Sequence, residues 1–234
     1  MKLAIMQPYF MPYIGYFQLI NTVDKFIFYD DVTFIKQGWI NRNQILINNQ
    51  AKTFSVPLSN ASSHTLIKDV LISANTYEKW KKSFLTSIMC SYKKAKNYNQ
   101  VISLIENILM SQFFTISELA IKSVVEISKY LGLNTKFEIC SSIYLNTYLS
   151  GQNRVLDICE SEKAKAYINP IGGMELYSKS IFSEKNIDLF FIQTNKVIYK
   201  QFSEEFVPFL SIIDVLMFND IEDIQKQLNN FILI

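Results

Sequence analysis

Residues 6 to 31 read MQPYFMPYIGYFQLINTVDKFIFYDD, and the punctuation of that stretch decides the fold. Proline has no N–H to give a sheet ladder. Pro8 therefore ends the strand that Leu3, Ala4, Ile5 and Met6 begin, and Pro12 presets the backbone for a first helical turn. From Tyr13 onward the apolar residues Tyr13, Tyr16, Phe17 and Ile20 recur at steps of three and four, the helical period. FIFYDD is a second short apolar run, closed by the carboxylates of Asp30 and Asp31. Strand, turn, helix, strand is the opening unit of a parallel α/β sheet. Ligands of such sheets gather outside the carboxyl ends of the strands, where both QPYFMP and YDD fall. Phe10 and Phe17 suit a core as well as a ligand platform, whereas Gln7, Tyr9 and Tyr13 carry polar tips that need partners.

Residues 32–58 read VTFIKQGWINRNQILINNQAKTFSVPL. QILI and KTFSVP, joined at Asn48 and Asn49, predict a small β-hairpin. Lys36, Trp39, Asn41, Arg42 and Asn43 lie in the loop that feeds it. The polar loop SNASSHTL carries the one histidine, His64, which has no acid nearby and reads as an ordinary loop residue before a general base. Residues 75–132 predict a helical insertion of three amphipathic helices. The last has Thr115 or Ser117 as N-cap, Glu118 in its first turn, Lys129 near its end and Gly132 as a left-handed stop. The sheet then resumes: TKFEICSS, the helix GQNRVLDICESEK, the strand AKAYINP, a turn IGGMELY opening a helix, and the strand IDLFFIQ. This alternation predicts one α/β domain over 1–234, a mainly parallel Rossmann-like sheet flanked by helices. Gly172 and Gly173, after a strand that ends in Asn169 and Pro170, predict free backbone amides at a helix start, a natural anion site. The closing helix in FVPFLSIIDVLMFND places Ser211 and Asp214 on one side. For Ser211 a ligand role competes with capping.

Composition narrows the class. A chain of 234 residues buries enough surface to fold without disulfides. Cys90, Cys140 and Cys159 are widely spaced in apolar segments, which argues for buried thiols in a reducing compartment and against a metal site. The apolar run at the N-terminus is too short for a signal-peptide core, and no run approaches the roughly 20 residues of a membrane span, so a cytoplasmic protein is expected. A net charge of +2, spread along the chain, leaves no footprint for nucleic acid. Hydrophobic content of 49% and aromatic content of 14% leave room for a homo-oligomer or a peripheral contact surface. Of the 23 basic residues only Arg42 and Arg154 are arginine, and a guanidinium used so sparingly suggests a fork for phosphate or carboxylate. Ordinary surface pairing is the competing explanation.

Together, QPYFMPYIGYFQLI, YDDVTFIKQGWINRNQI, NRVLDICE, AYINPIGGMELY and LSIIDVLMFND resemble the WbqC-like family, named for genes of bacterial O-antigen and other cell-surface polysaccharide clusters. The resemblance runs through nearly the whole chain. It implies a cytoplasmic enzyme of glycan-precursor synthesis that joins an acyl or aminoacyl group, such as glycyl, to the amine of a nucleotide-linked amino sugar. The opening unit is also similar to nucleotidyltransferase and class I synthetase folds, in which a His-x-Gly-His word grips ATP. Here the word is PYIGYF, with Tyr13 and Tyr16 in the histidine places and Gly15 free to allow close backbone approach to a ligand. No Lys-Met-Ser-Lys-like loop is present. ATP with magnesium, or a donor already activated, are the candidate co-substrates, and no cofactor is certain.

Amide formation on an amino sugar needs a base, a polarised donor carbonyl and a held diphosphate. Asp30 or Asp31 is the candidate base, since adjacent like charges raise one pKa. Lys36 joins them as a catalytic candidate. Arg42, Arg154 and the Gly172 and Gly173 amides are the diphosphate candidates. Tyr9, Tyr13 and Trp39 would stack on base or sugar, and Gln7, Asn41, Asn43 and Asn169 would read hydroxyls. Ser211 and Asp214 complete the substrate-binding set. Cys140 and Ser141 are the nucleophiles available to an acyl-enzyme, with no acid–base partner visible beside them. A non-catalytic scaffold of the glycan-assembly machinery, or a glycosyltransferase, are the alternatives. The second ranks lower because Asp30-Asp31 is not an Asp-x-Asp metal word.

Overall fold

In the computed structural model, which describes residues 1–234, the opening stretch folds as its punctuation predicts. Strand β1 (Lys2–Met6) stops before Pro8, helix α1 (Ile14–Thr22) starts two residues after Pro12, and β2 (Lys25–Phe28) returns parallel to β1. A hairpin of β3 (Arg42–Ile47) and β4 (Gln50–Ser55) follows. Its two-residue loop, Asn48 and Asn49, has both φ positive, at 51° and 59°. That geometry matches the twist of paired strands, and asparagine tolerates it better than most residues.

Three helices come next: α2 (Ala74–Tyr92), α3 (Tyr98–Met110) and α4 (Ile116–Tyr130). Thr115 and Glu118 form a reciprocal capping box on α4, and Gly132 takes the left-handed conformation, φ 72°, that ends it. The sheet then resumes with β5 (Lys136–Glu138), α5 (Gly151–Ser161), β6 (Ala166–Pro170), α6 (Lys179–Glu184) and β7 (Asp188–Thr194). After a long irregular loop the chain closes with α7 (Ile212–Phe218), α8 (Ile221–Leu228) and β8 (Phe231–Leu233).

The large sheet has the order β5-β2-β1-β6-β7-β8. All neighbours are parallel except β8, which runs antiparallel on the β7 edge. Counted along the chain, the five parallel strands read 3-2-1-4-5, a doubly wound order whose direction reverses between β1 and β6. Alternate residues of the strands serve two cores. Leu3, Ile5, Ile27, Tyr167, Leu189 and Phe191 pack with α5 and α6. Ala4, Phe26, Phe28, Ile168 and Ile192 pack on the other face, where one continuous core includes α1, the three inserted helices, α7 and α8. A parallel sheet covered on both faces has this pattern. No helix is long and apolar enough to cross a membrane.

Some expectations change. IGGMELY forms a 3-10 turn, Ile171–Leu176, and α6 starts later, at Lys179. Gly173 is needed there for space, since a Cβ would lie 2.2 Å from the Asn169 side-chain oxygen. Of the three cysteines only Cys159 is buried, and its thiol is pushed up to about 12 by desolvation; Cys90 is exposed and Cys140 half-buried. The closing strand β8 carries no sequence signal beyond its three apolar residues.

Candidate functional site

The carboxyl end of β2 carries Asp30 and Asp31, and their side chains turn to opposite sides of the sheet. Asp30 accepts from the Ser117 hydroxyl of α4 at 3.1 Å and from the Ser141 amide at 3.2 Å. Asp31 faces α5, where the Arg154 Nη2 donates to it at 2.5 Å. The Ser141 hydroxyl lies between them, 2.5 Å from Asp31 Oδ1 and 3.2 Å from Asp30 Oδ1. Burial raises the pKa of Asp30; hydrogen bonds from Ser141 and Ser117 oppose the rise, and the neighbouring Asp31 charge adds least. Like-charge repulsion is thus the minor cause and desolvation the major one. Ser141 does have acid partners, but it is fully buried. Lys68, which sequence reasoning passed over, closes this cluster by donating its amide to the Asp30 carbonyl at 2.9 Å and its Nζ to Ser142 at 2.8 Å.

Arg154 is held on three sides. Besides Asp31 it donates Nε to Asn146 at 2.9 Å, and its guanidinium lies 4.9 Å above the Tyr29 ring. Arg42 is also engaged, bracing its own loop by donating to the Gly38 carbonyl at 3.0 Å and to the Gln37 carbonyl, with its guanidinium 5.6 Å from the Trp39 ring centre. Both arginines are thus committed within the protein. Gly172 and Gly173 sit in the 3-10 turn described above. Asn169 donates to the Tyr167 hydroxyl at 2.7 Å beside that turn. Lys36 is exposed on the loop after β2.

A different group of expected residues does assemble. Tyr9, Pro12, Tyr13, Trp39, Asn43 and Phe209 enclose a cleft of about 260 Å³. A second cleft of about 290 Å³ shares Tyr13 and Phe209 and continues along Ile14, Thr194, Lys196, Tyr199, Phe206 and Leu210. Each is near the lower end of the roughly 300–1,000 Å³ usual for ligand sites, and joined they fall within it. They lie over the loops that follow β1, β2 and β7, at the carboxyl edge. Helix α1 begins here with no side-chain cap and no acidic residue in its first turn. The Tyr16 N–H donates to the Tyr13 carbonyl at 3.1 Å, and the N–H groups of Ile14 and Gly15 before it have no acceptor within the helix and favour an anion. The Tyr13 ring folds over Gly15, where a Cβ would approach it to 2.4 Å. Gln7 takes no side-chain part in this frame; its carbonyl accepts from the Tyr16 hydroxyl at 2.8 Å.

The loops are braced from beneath. The Met11 carbonyl, at φ 45°, accepts from Asn43 Nδ2 at 3.0 Å and from the Ser211 hydroxyl at 2.7 Å. Ser211 also caps α7, accepting from the Ile213 amide at 3.3 Å. Asn41 holds the Val56 carbonyl at 3.0 Å, fixing the hairpin to the loop. Asp214 is buried without a cation and accepts from Tyr92 at 2.8 Å, Tyr199 at 2.6 Å and Gln201 at 2.8 Å. Desolvation raises its pKa against the pull of these bonds. Tyr92 in turn accepts the Leu46 amide at 2.7 Å, so one carboxylate ties the insertion, the hairpin and the loop after β7. Sequence reasoning missed that loop. Its available signal was the unusual length of residues 195–211 between a strand and a helix.

The chain is 28% identical over 218 residues to the uncharacterized protein Rv1507c of Mycobacterium tuberculosis, covering 92% of each. No solved structure matches it. The model of the WbqC-like protein family matches residues 7–226, from the turn after β1 to within α8, and the chain belongs to that family.

Proposed function

We propose that the protein is an enzyme of bacterial surface-polysaccharide (O-antigen) precursor synthesis, transferring an acyl or aminoacyl group to the amine of a nucleotide-linked amino sugar. The observation that carries this reading is the pair of clefts meeting at Tyr13 and Phe209, because an amide transfer must hold an acceptor and a donor side by side. The aromatic cleft beside Asn43 suits the acceptor. The other, with Lys196 on its wall and the start of α1 alongside, suits an activated donor with an anionic leaving group. In the transfer, the amine nitrogen attacks the donor carbonyl carbon, the C–N bond forms, the bond to the leaving group breaks, and one amine proton passes to a base. Asp30, buried just beyond the end of β2 with its pKa raised by desolvation, is the candidate base.

A thermal-shift panel of nucleotide-linked amino sugars, their hydroxyl counterparts and ATP with magnesium tests the proposal. Selective stabilisation by the amino sugars supports it; at one hundred times the dissociation constant the gain is about 2.7 kcal/mol. No stabilisation by any of them defeats it. A second reading, a scaffold that docks a partner enzyme, draws on the exposed apolar side chains Ile143, Leu145 and Tyr148 after β5. It predicts tight association with a partner and no turnover.

A further inference from the structure

Phe209 violates two rules at once. Its ring is 81% exposed, and its backbone is left-handed at φ 58°, a conformation that a bulky residue adopts only at a cost. Neither feature serves the core. The position is nevertheless rigidly carried. On one side Val207 exchanges hydrogen bonds with Gln201, at 2.8 and 3.1 Å, and Gln201 is fixed to Asp214. On the other, Leu210 is buried and the Ser211 amide donates to the Gln44 carbonyl at 2.8 Å. Trp39 has the same character. It is 45% exposed on the loop after β2, and that loop is braced by both bonds of Arg42 and by the guanidinium against the indole. Two exposed aromatic rings, held on braced loops that follow different strands, border one cleft of about 260 Å³.

We infer that Phe209 and Trp39 form an aromatic clamp for the flat base of a nucleotide, with Phe209 the specificity-determining residue that separates the base from the second cleft. Aromatic rings stack on any base through their π-faces, and a preorganised pair avoids the ordering cost that mobile loops would incur. The inference rests on the reading of the ligand as nucleotide-linked. It assigns Arg42 to positioning Trp39 and leaves the diphosphate to other groups.

The test is a fluorescence titration of the full chain carrying Trp80→Phe, which leaves Trp39 as the sole indole. The probes are uridine, thymidine, guanosine and cytidine diphosphates, with ribose 5-phosphate as the base-free control. Quenching by at least one nucleoside diphosphate and none by ribose 5-phosphate is expected. Phe209→Leu should weaken that dissociation constant about 5- to 150-fold, the loss of one base stack. Calorimetric titration of the chain with both tryptophans, and of its Phe209→Leu variant, checks that Trp80→Phe has not altered the fold. If nucleotides bind by calorimetry while Trp39 is not quenched and Phe209→Leu binds equally well, the clamp is overturned and the nucleotide reading survives. If no nucleotide binds by either method, both fall.

Discussion

Arg154→Met is the substitution whose effect the structure specifies most closely. The Arg154 and Asp31 side chains are 5% and 1% exposed, and their contact is 2.5 Å. Removing the guanidinium leaves Asp31 with the Ser141 hydroxyl, in a place where water cannot replace the lost partner. It also strips the cation from the Tyr29 face and the donor from Asn146. Breaking a buried pair on one side costs about 3–5 kcal/mol, most of it the uncompensated charge. For a domain of this size each kcal/mol moves the melting temperature about 2–4 °C, so Arg154→Met should melt about 6–20 °C below the parent. The assay is thermal unfolding of a double-mutant cycle with Asp31→Leu. The pair of changes together should recover at least about 2 kcal/mol relative to the sum of the singles, since the orphaned charge is gone. Singles that melt within 2 °C of the parent, or effects that simply add, would refute the argument that Arg154 exists to hold Asp31.

Three further outcomes follow from the geometry. Asp30 binds its proton to higher pH in the folded chain than in the unfolded one, where the value is about 3.9, so its contribution to stability is full below that pH and is lost as pH rises through the raised folded value. The melting temperature of the parent relative to Asp30→Asn should therefore fall as pH rises above about 4; a difference that grows with pH contradicts the sign. Tyr92→Phe strands the buried Leu46 amide and removes one donor from Asp214, a loss of about 1–3 kcal/mol measurable by urea unfolding, and an unchanged midpoint would show that the hub is not coupled. Phe209→Gly relieves the left-handed strain and should raise stability by about 1 kcal/mol while weakening ligand binding; a loss of stability would mean that the exposed ring packs against something structural.

The opening unit was legible because prolines, glycine and periodicity act locally. Pro8 and Pro12 bracket the turn, Asn48 and Asn49 set the hairpin, and Thr115 with Glu118 caps α4, each visible within a few residues. Tyr9, Tyr13, Trp39 and Asn43 line one cleft because the turn after β1, the loop after β2 and the start of β3 lie side by side. What the sequence hid was long-range. Asp31 meets Arg154 and Asp30 meets Ser117 and Ser141 only after the sheet and the insertion have closed over them. Polar residues destined for burial look no different in sequence from exposed ones. Phe209 was overlooked for a related reason: residues 195–211 show no period, and their course is set by Gln201 holding Val207 and Asp214 and by Ser211 bonding to the distant Met11 carbonyl.

On the proposed function, the carboxyl-edge clefts receive a nucleotide-linked amino sugar. Hydrogen exchange by mass spectrometry, with and without the sugar nucleotide that most stabilises the protein, tests it most directly. Slowed exchange is expected in three segments, the turn after β1 through the start of α1, the loop around Trp39, and residues 206–211, with the far ends of the strands unchanged. Protection confined to other surfaces, or none at a saturating concentration, would contradict it.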